Sequence, residues 1–139
     1  MLCMKPEVYD MMLRHVRESY PDECCGLLLG KSETGNNEAL EIYRALNLNR
    51  ERAKDRYELN PADFLKADRH SQGNNMQIVG IYHSHPDHPA RPSAVDTERA
   101  WEGYSYVIVG VEGGKNCEAN SFVLNNGTKQ FEQEELKIA

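Results

Sequence analysis

The sequence predicts an α+β domain in which helices cover a curved, mostly antiparallel sheet. Three observations carry that expectation. An amphipathic helical stripe opens the chain, short strand-like runs follow it, and pairs of those runs are joined by turn signals such as Gly35-Asn36-Asn37 and Asn125-Asn126-Gly127.

Each element has its own justification. From Lys5 to Tyr20, Val8, Met12, Leu13, Val16 and Tyr20 recur at spacings of three and four, with Pro6 suited to a first turn and Pro21 just past the end. Cys24 to Gly30 is an apolar run between charged turns, and Ala39 to Leu46 partly alternates, so the two read as one hairpin. Asn47 to Glu58 is polar and patternless and reads as a surface loop. Asn60 and Pro61 then supply a cap and first turn for a second helix carrying Phe64, Leu65 and Ala67. Met76 to His83 is a buried strand by its β-branched content, Asp87 to Pro92 is loop because of its prolines, and Ala94 to Glu102 is a short helix. Strands at Ser105–Val111, Cys117–Leu124 and Thr128–Gln133 complete the pattern.

Composition narrows the function classes. The 139 residues, 40% hydrophobic and 27% charged, suit one globular domain spanning 1–139. No apolar run approaches the roughly 20 residues of a bilayer span, and Met1 to Pro6 does not resemble an export signal. A cytoplasmic location without membrane contact is therefore expected. The net charge of −6 comes without a basic stripe, which argues against nucleic acid as a partner. The cysteines at 3, 24, 25 and 117 form no Cys-x-x-Cys pair and read as reduced, mostly buried side chains, Cys24 and Cys25 facing opposite ways on a strand. Roles for Cys24 and Cys25 stay open.

The most informative stretch is His83-Ser84-His85-Pro86, at a predicted strand end. Residues two apart on a strand project to the same face, so two imidazoles can meet one ion. Asp96, beyond the proline-containing loop, is placed to be a third ligand, and two histidines with one carboxylate leave a coordination position for water, as catalytic zinc sites do. Taken singly, each histidine is equally compatible with a hydrogen-bonded core or surface residue. Ser93-Ala94-Val95-Asp96 is also a Ser-x-x-Asp helix start, and that reading is compatible with a ligand role for Asp96. His15 and His70 fit no ligand spacing and are expected to be solvated. His88 sits in the loop near the site, either facing solvent or touching substrate or a ligand's second nitrogen.

Glu23 before Cys24-Cys25-Gly26-Leu27-Leu28-Leu29-Gly30, followed by His83-Ser84-His85-Pro86, Ser93 and Asp96, resembles the JAMM (MPN+) metallopeptidase family. The similarity runs from about Tyr20 to Val111 and includes the gaps from His85 to Ser93 and from Ser93 to Asp96. It implies an MPN fold with one zinc ion per chain on His83, His85 and Asp96. It further implies Glu23 as general acid/base activating the zinc-bound water, and Ser93 as a group that stabilises the tetrahedral intermediate. Glu23 carries no distinguishing signal of its own and is singled out by the resemblance.

Only Thr97 to Gly103 separates Asp96 from the next strand, which leaves no room for the second insertion with which eukaryotic deubiquitinases of the family grip ubiquitin. The chain instead resembles compact bacterial members, including sulfur-carrier-protein/cysteine peptidases, also through Arg56-Tyr57-Glu58, Asn60-Pro61 and Gly80-Ile81-Tyr82. The implied activity is hydrolysis of a peptide or isopeptide bond after the C-terminal Gly-Gly of a ubiquitin-like or sulfur-carrier protein. The alternative is a zinc-holding scaffold or partner-binding MPN module without turnover. A zinc deaminase would need a Pro-Cys-x-x-Cys element that is absent. The sequence does not choose the carrier, the scissile residue or the oligomeric state.

Overall fold

The computed structural model describes residues 1–139. Its elements run β1 (Leu2–Met4), α1 (Pro6–Ser19), β2 (Cys25–Glu33), β3 (Asn36–Ala45), α2 (Pro61–Gly73), β4 (Gln77–Pro86), α3 (Ala94–Arg99), β5 (Ser105–Glu112), β6 (Asn116–Asn125), β7 (Gln130–Glu134) and β8 (Leu136–Ile138). All the strands join one mixed sheet in the order β7-β6-β5-β4-β2-β3-β1-β8. The pairs β2–β3, β2–β4, β5–β6 and β6–β7 are antiparallel, whereas β4–β5, β1–β3 and β1–β8 are parallel. The expected mostly antiparallel α+β architecture is therefore present, with two short strands at the chain ends added.

The sheet is covered on both faces. Against one face α1 packs Val8, Met12, Leu13 and Val16 onto Leu28, Val79, Tyr82 and Val107. Against the other, Ala67 of α2 meets Leu27, Leu29, Ile78 and Ile81, with Phe64 packed alongside. A strand covered on both faces needs a nearly continuous apolar run rather than alternation, which is why Met76 to Tyr82 reads as it does. Gly26 in β2 lies under the Tyr82 ring, where a side chain would collide with the aromatic carbons.

Helix ends follow the local chemistry. The Asn60 side chain accepts the Ala62 amide at 2.9 Å, with Pro61 in the first turn of α2. α3 stops at Arg99 instead of reaching Glu102, because Ala100 is already extended. No helix is long and apolar enough to cross a membrane.

The topology locates the site. Parallel neighbours cannot be joined by a tight turn, so β4 and β5 are connected by a crossover that contains α3. The crossover starts at the carboxyl end of β4, where His83 and His85 lie.

Candidate metal centre

In the register of β2 and β4, Cys25 pairs with His83. Glu23, two residues before Cys25, is thereby brought alongside His85, two residues after His83. Reciprocal bonds lock this corner: the Ser84 amide donates to the Cys24 carbonyl at 3.0 Å, and the Cys24 amide donates to the Ser84 hydroxyl at 2.9 Å. The loop after β3 closes over it. The Asn47 side chain donates to the carbonyls of Glu23 and Arg56, both at 3.1 Å, and accepts the amides of Asn49 and Glu58. One asparagine thus ties Glu23 to the segment carrying Tyr57, whose ring stacks on His83 with centroids 4.4 Å apart.

Two ring nitrogens and two carboxylate oxygens converge. His83 Nε2 lies 3.1 Å from His85 Nε2. Asp96 approaches His83 Nε2 with Oδ1 and His85 Nε2 with Oδ2, each at 3.3 Å. The Glu23 carboxylate is within 4.8 Å of ligand atoms on both histidines and stands beside them. His83 is 1% exposed and Glu23 6%.

The histidines are oriented by what surrounds them. His85 Nδ1 lies 2.9 Å from the Pro89 carbonyl, a partner that accepts but cannot donate, so this nitrogen carries a proton and Nε2 is the nitrogen turned toward Asp96. The Pro89 loop is itself pinned, because the Asp87 carboxylate receives the Tyr20 hydroxyl at 2.6 Å and the Gly113 amide at 2.8 Å. It crosses β5 at Gly110, where a Cβ would come within 2.7 Å of the His88 carbonyl. His83 Nδ1 is buried without a hydrogen-bond partner.

Asp96 is fixed from the helix side. A capping box joins it to Ser93: the Ser93 amide donates to Asp96 Oδ2 at 2.8 Å, and the Asp96 amide donates to the Ser93 hydroxyl oxygen at 3.1 Å. The capping reading of this pair is observed, and the cap holds the carboxylate facing the histidines.

Electrostatics set these groups apart. Burial pushes Glu23 up to about 7, against the opposing pull of His85. Burial would also raise Asp96, but hydrogen bonding to His83 and His85 outweighs it and holds the carboxyl well below the usual range. Burial lowers His83. For His85 burial acts the same way, yet Asp96 and the Pro89 carbonyl overcome it and the group is raised. An anionic carboxylate and two converging imidazoles buried together are a donor set for a metal cation.

Glu23, His85 and Asp96 line a cleft of about 360 Å³ together with Tyr57, Ser93 and Arg99. His88 is exposed at its rim. His70 is exposed as expected and lies 3.3 Å from Glu41. His15 departs from expectation: it is buried under the sheet with Nδ1 2.6 Å from the Tyr82 hydroxyl, because its turn of α1 faces the core. Cys24 and Cys25 are buried, Cys3 and Cys117 half-buried, and all four are free thiols. Asn47 and Tyr57 were not visible as site residues, since a polar loop offers no periodicity from which to place them.

The description of prokaryotic homologues of the JAB domain matches residues 5–125. The chain belongs to that family. Among JAB-domain relatives, a desampylase of Haloferax volcanii is 34% identical over 119 residues, covering 81% of this chain and 82% of its own. A CysO-cysteine peptidase of Mycobacterium tuberculosis is 30% identical over 128 residues, covering 91% and 84%. The solution structure of a Desulfitobacterium hafniense protein superposes with a TM-score of 0.88 at 28% identity, over 100% of this chain and 93% of that one. The JAB/MPN fold inferred from the motif is thus the fold of the chain.

Proposed function

We propose that this JAB-domain chain is a zinc metallopeptidase that hydrolyses the peptide or isopeptide bond following the C-terminal Gly-Gly of a ubiquitin-like or sulfur-carrier protein. The observation that carries the metal assignment is the convergence of His83, His85 and Asp96: the two Nε2 atoms are 3.1 Å apart, and Asp96 approaches each at 3.3 Å with a different carboxylate oxygen. Ligands about 2.0–2.1 Å from a tetrahedral zinc ion lie about 3.3–3.4 Å from one another, and separations of this order among the three side chains support the reading. The names of the desampylase and CysO-cysteine peptidase relatives support the substrate class.

When bound, zinc supplies Lewis acidity and brings the pKa of a coordinated water to about 7. Glu23 takes up the water proton and returns it to the departing amine. Burial raises this carboxyl in the metal-free chain, and a carboxylate that takes up a proton more readily than an exposed one suits both steps. Ser93 spends its oxygen lone pair on the helix cap, and its own proton has no acceptor within the chain. That proton is free for the oxygen on which negative charge develops, a contribution of about 3 kcal/mol where such donors have been removed. A scaffold without turnover has no use for a buried carboxylate tuned in this way.

The test is hydrolysis of a carrier extended beyond Gly-Gly by cysteine or a longer segment, beside a ubiquitin isopeptide, by zinc-loaded protein. Glu23→Gln is expected to keep its zinc and lose turnover by about 100- to 10,000-fold. Unimpaired turnover by that variant would remove Glu23 from the mechanism.

A further inference from the structure

The two histidines of the metal centre are held in different ways. A histidine that binds a metal through one ring nitrogen ordinarily gives the other to a carbonyl, a carboxylate or water, which fixes the ring. His85 follows that rule through Nδ1 and the Pro89 carbonyl at 2.9 Å. His83 does not. Its Nε2 faces His85 and Asp96, and its Nδ1 is buried with no hydrogen-bond partner, so no hydrogen bond sets the rotation of this ring from behind.

Tyr57 covers the ring instead. The two rings are stacked, with centroids 4.4 Å apart and planes 23° from parallel. A ring packed face to face tilts only by displacing its neighbour, so the stack restrains the same rotation that a hydrogen bond would. It also acts differentially. Coordination to a cation draws electrons from an imidazole, and the negative π face of a tyrosine attracts an electron-poor ring. Tyr57 thus favours the metal-bound ring over the free one, which is the condition for it to raise affinity.

Tyr57 is itself fixed from two sides. The Asn47 side chain bonds the residue on each flank, donating to the Arg56 carbonyl at 3.1 Å and accepting the Glu58 amide at 2.9 Å. Arg99, the last residue of α3, donates from Nη1 to the Tyr57 carbonyl at 2.8 Å. The first turn of α3 carries Asp96. Tyr57 therefore joins the strand that supplies His83 to the helix that supplies Asp96. In the same segment the Ala53 carbonyl accepts the Glu23 amide.

Resting on the ligand assignment of the peptidase reading above, we infer that Tyr57 is a positioning residue for the metal, its ring replacing the hydrogen bond that His83 lacks. Coupling of this kind is reciprocal: what segment 47–58 does for zinc, zinc does for the segment. Occupancy of the metal site and closure of the loop beside Glu23 are thus linked through one aromatic contact.

The experiment measures zinc affinity by competition with a chromophoric chelator. It also follows tryptic cleavage after the exposed Arg50, Arg52 and Lys54, with and without zinc. Tyr57→Leu keeps apolar bulk but has no π face, and is expected to bind zinc about 10- to 100-fold more weakly, the loss typical of partners behind a metal ligand. Tyr57→Phe keeps the face and is expected to match the wild type. Zinc should slow the three cleavages in the wild type and in Tyr57→Phe by a factor comparable to that affinity difference, and should barely change them in Tyr57→Leu. Wild-type affinity in Tyr57→Leu overturns the proposal, as does a loss in Tyr57→Phe equal to that in Tyr57→Leu, which would assign the effect to the hydroxyl. Zinc that leaves cleavage of the wild type unchanged overturns it too, and that outcome needs no variant to fold. A wild type that binds no zinc removes the ligand assignment and the positioning role together, whereas a zinc-binding protein indifferent to Tyr57 removes the positioning role alone.

Discussion

Tyr82 and His83 are neighbours in β4 that point to opposite faces of the sheet, and each joins a buried histidine cluster of a different kind. On the α1 face, Tyr82 and His15 satisfy one another at 2.6 Å. Burial, with Arg44 adding repulsion, pushes His15 down to about 4, so the pair is neutral at ordinary pH. On the opposite face, His83 and His85 aim ring nitrogens at each other and at an anionic Asp96, with Glu23 beside them. Burial is common to both clusters and therefore does not mark a site. Convergence marks it: polar atoms that pair one to one belong to the core, whereas two ring nitrogens and a carboxylate directed at one point form a donor set for a cation.

Mutations on the two faces should separate accordingly. The largest effect is expected from Asp96→Asn, which keeps an oxygen for the Ser93 cap but removes the charge. Zinc affinity, measured by competition with a chromophoric chelator, should fall by more than the roughly 10- to 100-fold typical of partners behind the ligands. An unchanged affinity would take Asp96 out of the ligand set. Tyr82→Phe should do the reverse, leaving zinc affinity intact while stranding buried His15 Nδ1, at a cost of about 1–3 kcal/mol in urea unfolding. Loss of zinc in that variant would mean that the two faces are not independent.

A smaller effect concerns pH. His15 has a lowered pKa in the folded protein, so between the unfolded value of about 6.5 and the folded value of about 4 the unfolded chain binds a proton that the folded chain refuses. Its contribution to stability is complete above that window and is lost as pH falls through it. Metal-free protein should lose stability on acidification from pH 7 to pH 4, and His15→Asn should flatten that slope. A slope unchanged by the substitution would assign the dependence to other groups.

The same two clusters show what a sequence carries. His83, His85, Ser93 and Asp96 were legible because a strand's two-residue repeat and a capping pattern have fixed local geometry. Glu23 was legible only through family resemblance, since its place beside His85 depends on the long-range register of β2 against β4. His15 was misplaced because a polar residue on a helix is read as solvated unless its partner is known, and Tyr82 lies far along the chain. Asn47 and Tyr57 act through a loop without periodicity. β1 and β8, with three residues each, are too short to display alternation and exist through parallel pairing between distant segments.

Zinc-edge X-ray absorption on the metal-loaded protein tests the coordination most directly. The account predicts two imidazole nitrogens and only oxygen besides, all at about 2.0–2.2 Å. A sulfur shell at about 2.3 Å, from Cys24 or Cys25, or a spectrum with fewer than two imidazoles, would contradict it.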